Sequence, residues 1–333
     1  MVATMLAHIC ASTVLAADPA ITVSAKQRYP WNGLVDLQFT ITGTSGTKYD
    51  TSFTAKDVIG GTNITMKTIR KADGAAANVA KEQLLPGTYN WVWDATADLP
   101  KDWVCDRVTV TGTAVEVKYY VKFNANGGSG NMPQQQFAIG ESQQLSANVF
   151  TKSKYTFFGW SKDTTAVRAY NDKQSVMNLT TTANGIVNLY AIWTISSLAN
   201  GLNCTTLPWR TGDSNAWYYN TAESRDGTAS VKSSGAGGGE ADSWLETTVK
   251  GPATISFYYA KKHYSSTFTI KRGSTTIFTD STGTSDEVSS WIYKSFAIPS
   301  GTYNIRFNYH HSGIGYGSGG NGIRIDQFKV TYN

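Results

Sequence analysis

The sequence predicts a mainly β protein, and three observations carry that prediction. Apolar and polar side chains alternate at period two, from Val35, Leu37, Phe39 and Ile41 to Ile305, Phe307 and Tyr309. Gly, Pro and Asn turns separate these runs, and long Glu/Lys/Leu/Ala-rich stretches that would supply helices are absent. Charged residues make up 16% of the chain, against about 25% in an ordinary soluble domain. Thr, Ser, Asn and Gly fill the difference, a composition common among extracellular β proteins.

Residues 4–16, TMLAHICASTVLA, form an apolar run that ends in small residues before Ala17-Asp18-Pro19. This reads as a secretory signal peptide over residues 1–17, although no Lys or Arg precedes it. The run is too short to span a bilayer, so the mature chain is expected to carry no transmembrane segment. Cys10 would leave with this peptide. Cys105 and Cys204 then remain, with no metal-ligand spacing. A bridge between them stays open; two buried free thiols are the expectation.

Residues 18–115 read as an immunoglobulin-like antiparallel sandwich. The alternation at 35–41 is followed by Gly43 to Gly46, and Tyr89, Trp91 and Trp93 alternate after a Pro86-Gly87 turn. Val104, Val108 and Val110 suggest a closing strand. The stretch from Ala75 to Leu85 reads as a short helix or a loop.

Residues 116–194 carry three spaced motifs in order. Val121-Lys122-Phe123 runs into Asn124-Ala125-Asn126-Gly127-Gly128; Tyr155-Thr156-Phe157-Phe158-Gly159-Trp160 stands at the centre; Leu189-Tyr190-Ala191-Ile192-Trp193 closes the segment. Asn126-Gly127-Gly128 supplies positive φ for a tight turn, and Gly159 permits a close backbone approach. This order resembles the Listeria–Bacteroides (internalin B-type) repeat. The resemblance implies a small β-grasp-like unit on a secreted or cell-surface bacterial protein. The chain departs from the family's pattern at Lys154 and at Lys173, where the family places Gly.

Residues 195–200 read as a linker, and 201–333 as a third β domain. There Ile255, Phe257 and Tyr259 alternate, and the last strand is Ile323-Arg324-Ile325-Asp326-Gln327-Phe328-Lys329-Val330. The pattern resembles the jelly-roll β-sandwiches of carbohydrate-binding and adhesion modules. Such modules often hold a structural Ca²⁺, which makes Asp326 with Asp226 or Asp242 candidate ligands; Asp226-Gly227 also reads simply as a turn. No other cofactor is expected.

Catalytic chemistry finds little material. The four histidines include adjacent His310 and His311, which a strand points to opposite faces. Nucleophile-elbow, zinc-protease and phosphate-loop motifs are absent. Asp226, Glu240, Asp242 and Asp326 are the acids a glycosidase would draw on. The Lys and Arg residues, net +5 with the acids, are scattered, and no nucleic-acid footprint emerges. Exposed Trp and Tyr rings are the usual saccharide platform, so Trp217, Tyr218, Tyr264 and Tyr316 are the candidate ligand contacts, with the Gly-rich stretch 313–322 shaping a rim. The expected function is non-catalytic adhesion or binding to an extracellular glycan or surface protein. A structural spacer of the cell envelope and an unrecognised extracellular hydrolase are the rival readings.

Overall fold

The structure is a computed structural model of the 333-residue chain. It describes residues 19–332 apart from 31, 80, 101–106, 165–166, 235–239, 263–265, 282–288 and 313–321. The expected signal peptide, Val104 and Cys105 lie outside the described residues. The chain divides into two compact units. The first takes residues up to 121 with 135–144 and 175–187; the second takes 122–134, 145–174 and 188 onward.

The first unit begins with β1 (Ala20–Gln27), β2 (Leu34–Thr42), β3 (Tyr49–Asp57), β4 (Asn63–Thr65), β5 (Ile69–Lys71), β6 (Gly87–Asp94), the short helix α1 (Ala95–Asp98) and β7 (Val108–Glu116). One sheet has the order β1-β2-β6-β5 and the other β4-β3-β7. With β1, β2, β5 and β6 lettered A, B, D and E, the larger sheet is the A-B-E-D layer of an immunoglobulin-type sandwich. The expected alternation is observed: Val35, Leu37, Phe39 and Ile41 are all buried, and Phe39 meets Phe53 and Trp91 edge-on at 4.9 Å each. The described residues of 75–85 form turns and bridges, with no helix among them. Asp98 ties α1 to the sandwich by accepting from Lys67 N, Thr68 N, Thr68 Oγ1 and Trp93 Nε1 at 2.6–2.9 Å. Burial alone would raise its pKa; these donors outweigh that and lower it.

Only Val117, itself buried, separates β7 from β8 (Lys118–Asn124). β9 (Gln135–Ala138), β10 (Ser142–Gln144), β11 (Thr156–Ser161), β12 (Ser175–Met177) and β13 (Ile186–Thr194) follow. Their sheet has the order β11-β13-β8-β9, and β10 pairs with β12. Contacts between β8 and β13 advance together along both strands: Asn184 N donates to Lys118 O, Tyr120 N to Gly185 O and Asn124 Nδ2 to Leu189 O. The two central strands therefore run parallel.

The second unit continues with α2 (Ser196–Gly201), β14 (Trp209–Thr211), β15 (Tyr218–Asn220), β16 (Ser230–Lys232), β17 (Glu240–Lys262), β18 (Ser266–Arg272), β19 (Thr275–Asp280), β20 (Ile292–Ser312) and β21 (Gly322–Tyr332). The segment expected as a linker is largely this helix, because Leu198 and Ala199 are drawn into the C-terminal core. β17 and β20 pair along their length, with a register shift at Gly251/Ala253. A Cβ at Gly251 would meet Pro299 O at 1.9 Å, so only glycine allows the strands to turn the corner there. Beyond the corner, each strand serves a second layer. The first half of β17 lies between β14 and β20, and the second half between β20 and β21. Leu245 and Val249 from one half and Ile255, Phe257 and Tyr259 from the other share one core. This is the predicted antiparallel sandwich, with its strands passing from layer to layer. Cys204 is a buried free thiol.

Candidate functional site

Alternation along β17 sends Ile255, Phe257 and Tyr259 into the core and leaves Thr254, Ser256 and Tyr258 on the outer face. Cross-strand pairing sets Tyr293 of β20 opposite Tyr258, with ring centroids 5.1 Å apart and planes tilted by 55°. Tyr293 is 55% exposed. On the other flank, β21 carries a bulge. Ser256 pairs with Lys329 and Tyr258 with Asp326, so two β21 residues, Gln327 and Phe328, oppose Phe257. Gln327 takes φ +53°, which lets Phe328 return to the core against Trp209 at 4.9 Å. Without the bulge, Asp326 and Lys329 would face opposite sides. With it, Gln327, Lys329 and Thr331 join Thr254, Ser256, Tyr258 and Tyr293 around a groove of about 540 Å³.

Arg225, on the loop between β15 and β16, locks one wall. Its guanidinium lies 3.6 Å from the Tyr258 ring centroid and donates to Gln327 Oε1 at 2.7 Å, while its backbone N donates to Asp326 Oδ2 at 2.7 Å. One face of Tyr258 is thereby occupied, and Tyr293 offers the more open ring.

Farther along the same outer face, Tyr218, Lys232 and Arg324 stand opposite one another across β15, β16 and β21. Arg324 is fully buried and forms two bonds with Glu223, from Nε at 2.6 Å and from NH2 at 2.9 Å. Burial pushes the Glu223 carboxyl up, but Arg324, Lys232 and Lys262 outweigh burial and hold it below the usual range.

Of the sequence-derived ligand candidates, Tyr218 is exposed at 44%, whereas Trp217 belongs to the core. Trp217 precedes β15 and is turned inward, its backbone N–H bonded to Thr211 Oγ1, whereas Tyr219 is exposed. Tyr264 and Tyr316 lie outside the described residues. Tyr293, Arg225, Gln327 and Lys329 were not among the candidates; pairing and the bulge, neither readable from one strand alone, bring them together.

The acidic candidates separate. Asp242 pairs with His310 Nδ1 at 2.8 Å on an exposed surface, so it is not the partner of Asp326. Asp226 and Asp326 do lie close enough to feel each other's charge. Asp326 is fully buried: Oδ2 accepts from Arg225 N, and Oδ1 has no partner. Burial raises its pKa, the Arg225 N–H opposes this, and the charge of Asp226 adds to it. Asp226 is tied by Thr228 N, Thr228 Oγ1 and Asn203 Nδ2 at 2.6–3.0 Å, with the Thr228 hydroxyl the main cause of its lowered pKa. A buried, orphaned carboxylate oxygen beside a second carboxylate fits a hard cation. Among the described residues no three His, Cys, Asp or Glu groups converge, so backbone carbonyls would have to complete the shell. No helix among these residues is long and apolar enough to cross a membrane.

In the middle segment, Trp160 is fully buried, with Phe123 and Phe157 at 4.8 Å and Phe150 at 6.2 Å. Trp193 donates Nε1 to Ala125 O at 2.9 Å, and its ring leaves no room for a Cβ at Gly128. Gly159 has φ +147° beside a break in register, and a Cβ there would meet Tyr170 O at 2.7 Å. Each motif of the sequence thus has a defined packing role. Residues 119–192 match the model of the Listeria–Bacteroides repeat domain.

Within this repeat, the two departures from glycine have a physical consequence. Lys154 and Lys173 adopt φ +65° and +54°, the left-handed conformation that glycine takes freely. That conformation costs an L residue about 1–2 kcal/mol, while glycine's freer unfolded chain returns about 0.4–1 kcal/mol. Lys154→Gly and Lys173→Gly are therefore each expected to stabilise the protein by roughly 0.5–1 kcal/mol in urea unfolding. Destabilisation by either would contradict the strain argument.

No curated protein matches the chain. Among solved structures it is similar to TmCBM61 in complex with β-1,4-galactotriose, at 15% identity over 38% of this chain and 89% of that one, TM-score 0.30. A second is the N-terminal CBM22-1–CBM22-2 tandem of Xyn10C from Paenibacillus barcinonensis, at 10% identity over 99% of each, TM-score 0.24. A third is a glycoside hydrolase family 43 arabinoxylan arabinofuranohydrolase from Bacillus subtilis in complex with cellotetraose, at 11% identity over 93% of this chain and 79% of that one, TM-score 0.25.

Proposed function

We propose that the protein is a secreted or surface-displayed, non-catalytic glycan-binding protein acting in adhesion, and that the Tyr258–Tyr293 groove is its ligand site. The observation that carries this reading is Tyr293. A ring left 55% open, paired with a second tyrosine and bordered by hydroxyls and a glutamine, combines an apolar platform with polar groups alongside. Sugars present the same combination, a C–H face ringed by hydroxyls. The platform lies on strands, which hold it more rigidly than loops would. We further propose that Asp326 and Asp226 hold a Ca²⁺ that fixes the Arg225 loop against the groove.

The test is a glycan array followed by calorimetric titration of the full chain, with and without EDTA. Saturable binding of a saccharide is expected. Tyr293→Ala should weaken it about thirtyfold, the ~2 kcal/mol of an aromatic hot spot. EDTA should also weaken it, because the Arg225 wall is released. Undiminished binding by Tyr293→Ala would remove the groove from the reading. Silence on the array would favour a spacer or a protein-binding adhesin.

A further inference from the structure

We infer that the groove takes an acidic saccharide, a uronate, whose carboxylate is received by Arg225 and Lys329. This rests on the reading of the groove as a glycan site and adds its chemical class.

The first argument is the hydrogen-bonding inventory. Neutral sugars offer hydroxyls, which both donate and accept, and a site for them profits from carboxylate or amide oxygens. No Asp or Glu lines this groove. The amide oxygen of Gln327 already accepts one bond from Arg225, and the amide's N–H groups can donate. Arg225 and Lys329 can only donate. Beyond the hydroxyls of Thr254, Ser256, Thr331 and the two tyrosines and the amide of Gln327, the lining adds the donor Lys329, with Arg225 beside it on Tyr258 and Gln327. The ligand that satisfies them is rich in acceptors.

The second argument is charge. Some cations of this domain are matched by carboxylates: Arg210 and Arg306 share Glu246, Lys261 pairs with Asp280, and Arg324 with Glu223. Among the described residues, neither Lys329 nor the Arg225 guanidinium makes such a pair. Arg225 is nonetheless held in place, by the Tyr258 ring and by Gln327. Lys329 is exposed and stands opposite Ser256, one outward-facing row from Tyr258, roughly 7 Å along the strand. Two donors on the β21 flank of an aromatic platform, without carboxylate partners among the described residues, suit a sugar whose ring stacks while its carboxylate is bonded. Asp326 does not oppose this, because it is fully buried beneath the Arg225 backbone.

The experiment titrates the full chain with oligogalacturonate, oligoalginate and hyaluronan fragments, each beside its carboxyl-reduced, neutral counterpart. At least one acidic oligosaccharide is expected to bind about tenfold or more tightly than its reduced form, the scale of a charge-assisted hydrogen bond. Lys329→Gln should erase that preference, and Tyr293→Ala should lower binding of both forms. Equal or tighter binding of the reduced forms would overturn the acidic assignment and leave the glycan reading standing. An acidic preference that Lys329→Gln and Tyr293→Ala leave intact would overturn the assignment as a general charge effect. If neither form binds the wild-type chain, both the assignment and the groove reading fall.

Discussion

Replacing Glu223 by alanine is expected to lower the unfolding free energy by about 3 kcal/mol, the lower end of the range for removing one partner of a buried ion pair. Arg324 has no exposed surface, and Glu223 is its carboxylate partner through Nε and NH2. With the carboxylate gone, the guanidinium keeps the Gly322 carbonyl at 2.8 Å but loses both bonds to Glu223, while Lys232 stands directly across the strands. The Glu223 side chain is 31% exposed, so water relieves part of the penalty and the lower end applies. The pH dependence has a definite sign. Glu223 has a depressed folded-state pKa, so its contribution is present above the unfolded value, about 4.3, and is lost as pH falls through the folded value. Wild type should therefore lose part of its margin over Glu223→Ala on acidification below that point. Pairing Glu223→Leu with Arg324→Met should recover most of the loss, since an apolar pair removes the buried charge as well. Urea unfolding of the three variants checks this. A Glu223→Ala cost under 1 kcal/mol would show that Arg324 is neutralised by other means.

Much of the fold was legible because alternation is a local signal. Val35 to Ile41 and Ile255 to Tyr259 reveal their buried faces with no knowledge of their partners. The repeat was legible for another reason: Trp160, Trp193 and Gly159 fill a small core that tolerates few alternatives. What could not be read depends on pairs of strands. A strict period of two starting from Ile323 and Ile325 sends Phe328 outward; the bulge at Gln327 reverses this, and only the pairing with β17 shows it. Tyr293 gains meaning only opposite Tyr258, and Asp226 and Asp326 meet although 100 positions separate them in sequence. The helix at Ser196–Gly201 was missed because three buried residues, Leu198, Ala199 and Gly201, within six positions are too few to show a period. The glycine substituents Lys154 and Lys173 were visible as departures, yet their positive φ follows from the turns they occupy.

The second large effect is expected at Gly140. This residue has φ +100°, and a Cβ there would lie 1.8 Å from the carbonyl oxygen of Gly46. Around it the first sandwich and residues 135–144 are laced by backbone bonds: Lys48 N to Ile139 O at 2.9 Å, and Val117 N to Lys48 O and Ile139 N to Val117 O at 2.8 Å each. Thr47 Oγ1 adds a bond to Glu141 Oε1 at 2.6 Å. Gly140→Ala thus incurs the conformational cost of a positive φ, about 1–3 kcal/mol, and must also push two backbones apart. A total of about 3 kcal/mol or more is expected, on the scale of the larger point-mutant effects. Gly74→Ala is the internal control. It has φ +88°, but its Cβ would meet nothing within 4 Å, so it should show the conformational cost alone, about 1 kcal/mol. Both variants belong to the same compact unit, and thermal or urea unfolding compares them directly. Equal losses would mean that the Gly46–Gly140 contact contributes nothing. A larger loss at Gly140 would mean that the first sandwich and this part of the repeat are stabilised through each other.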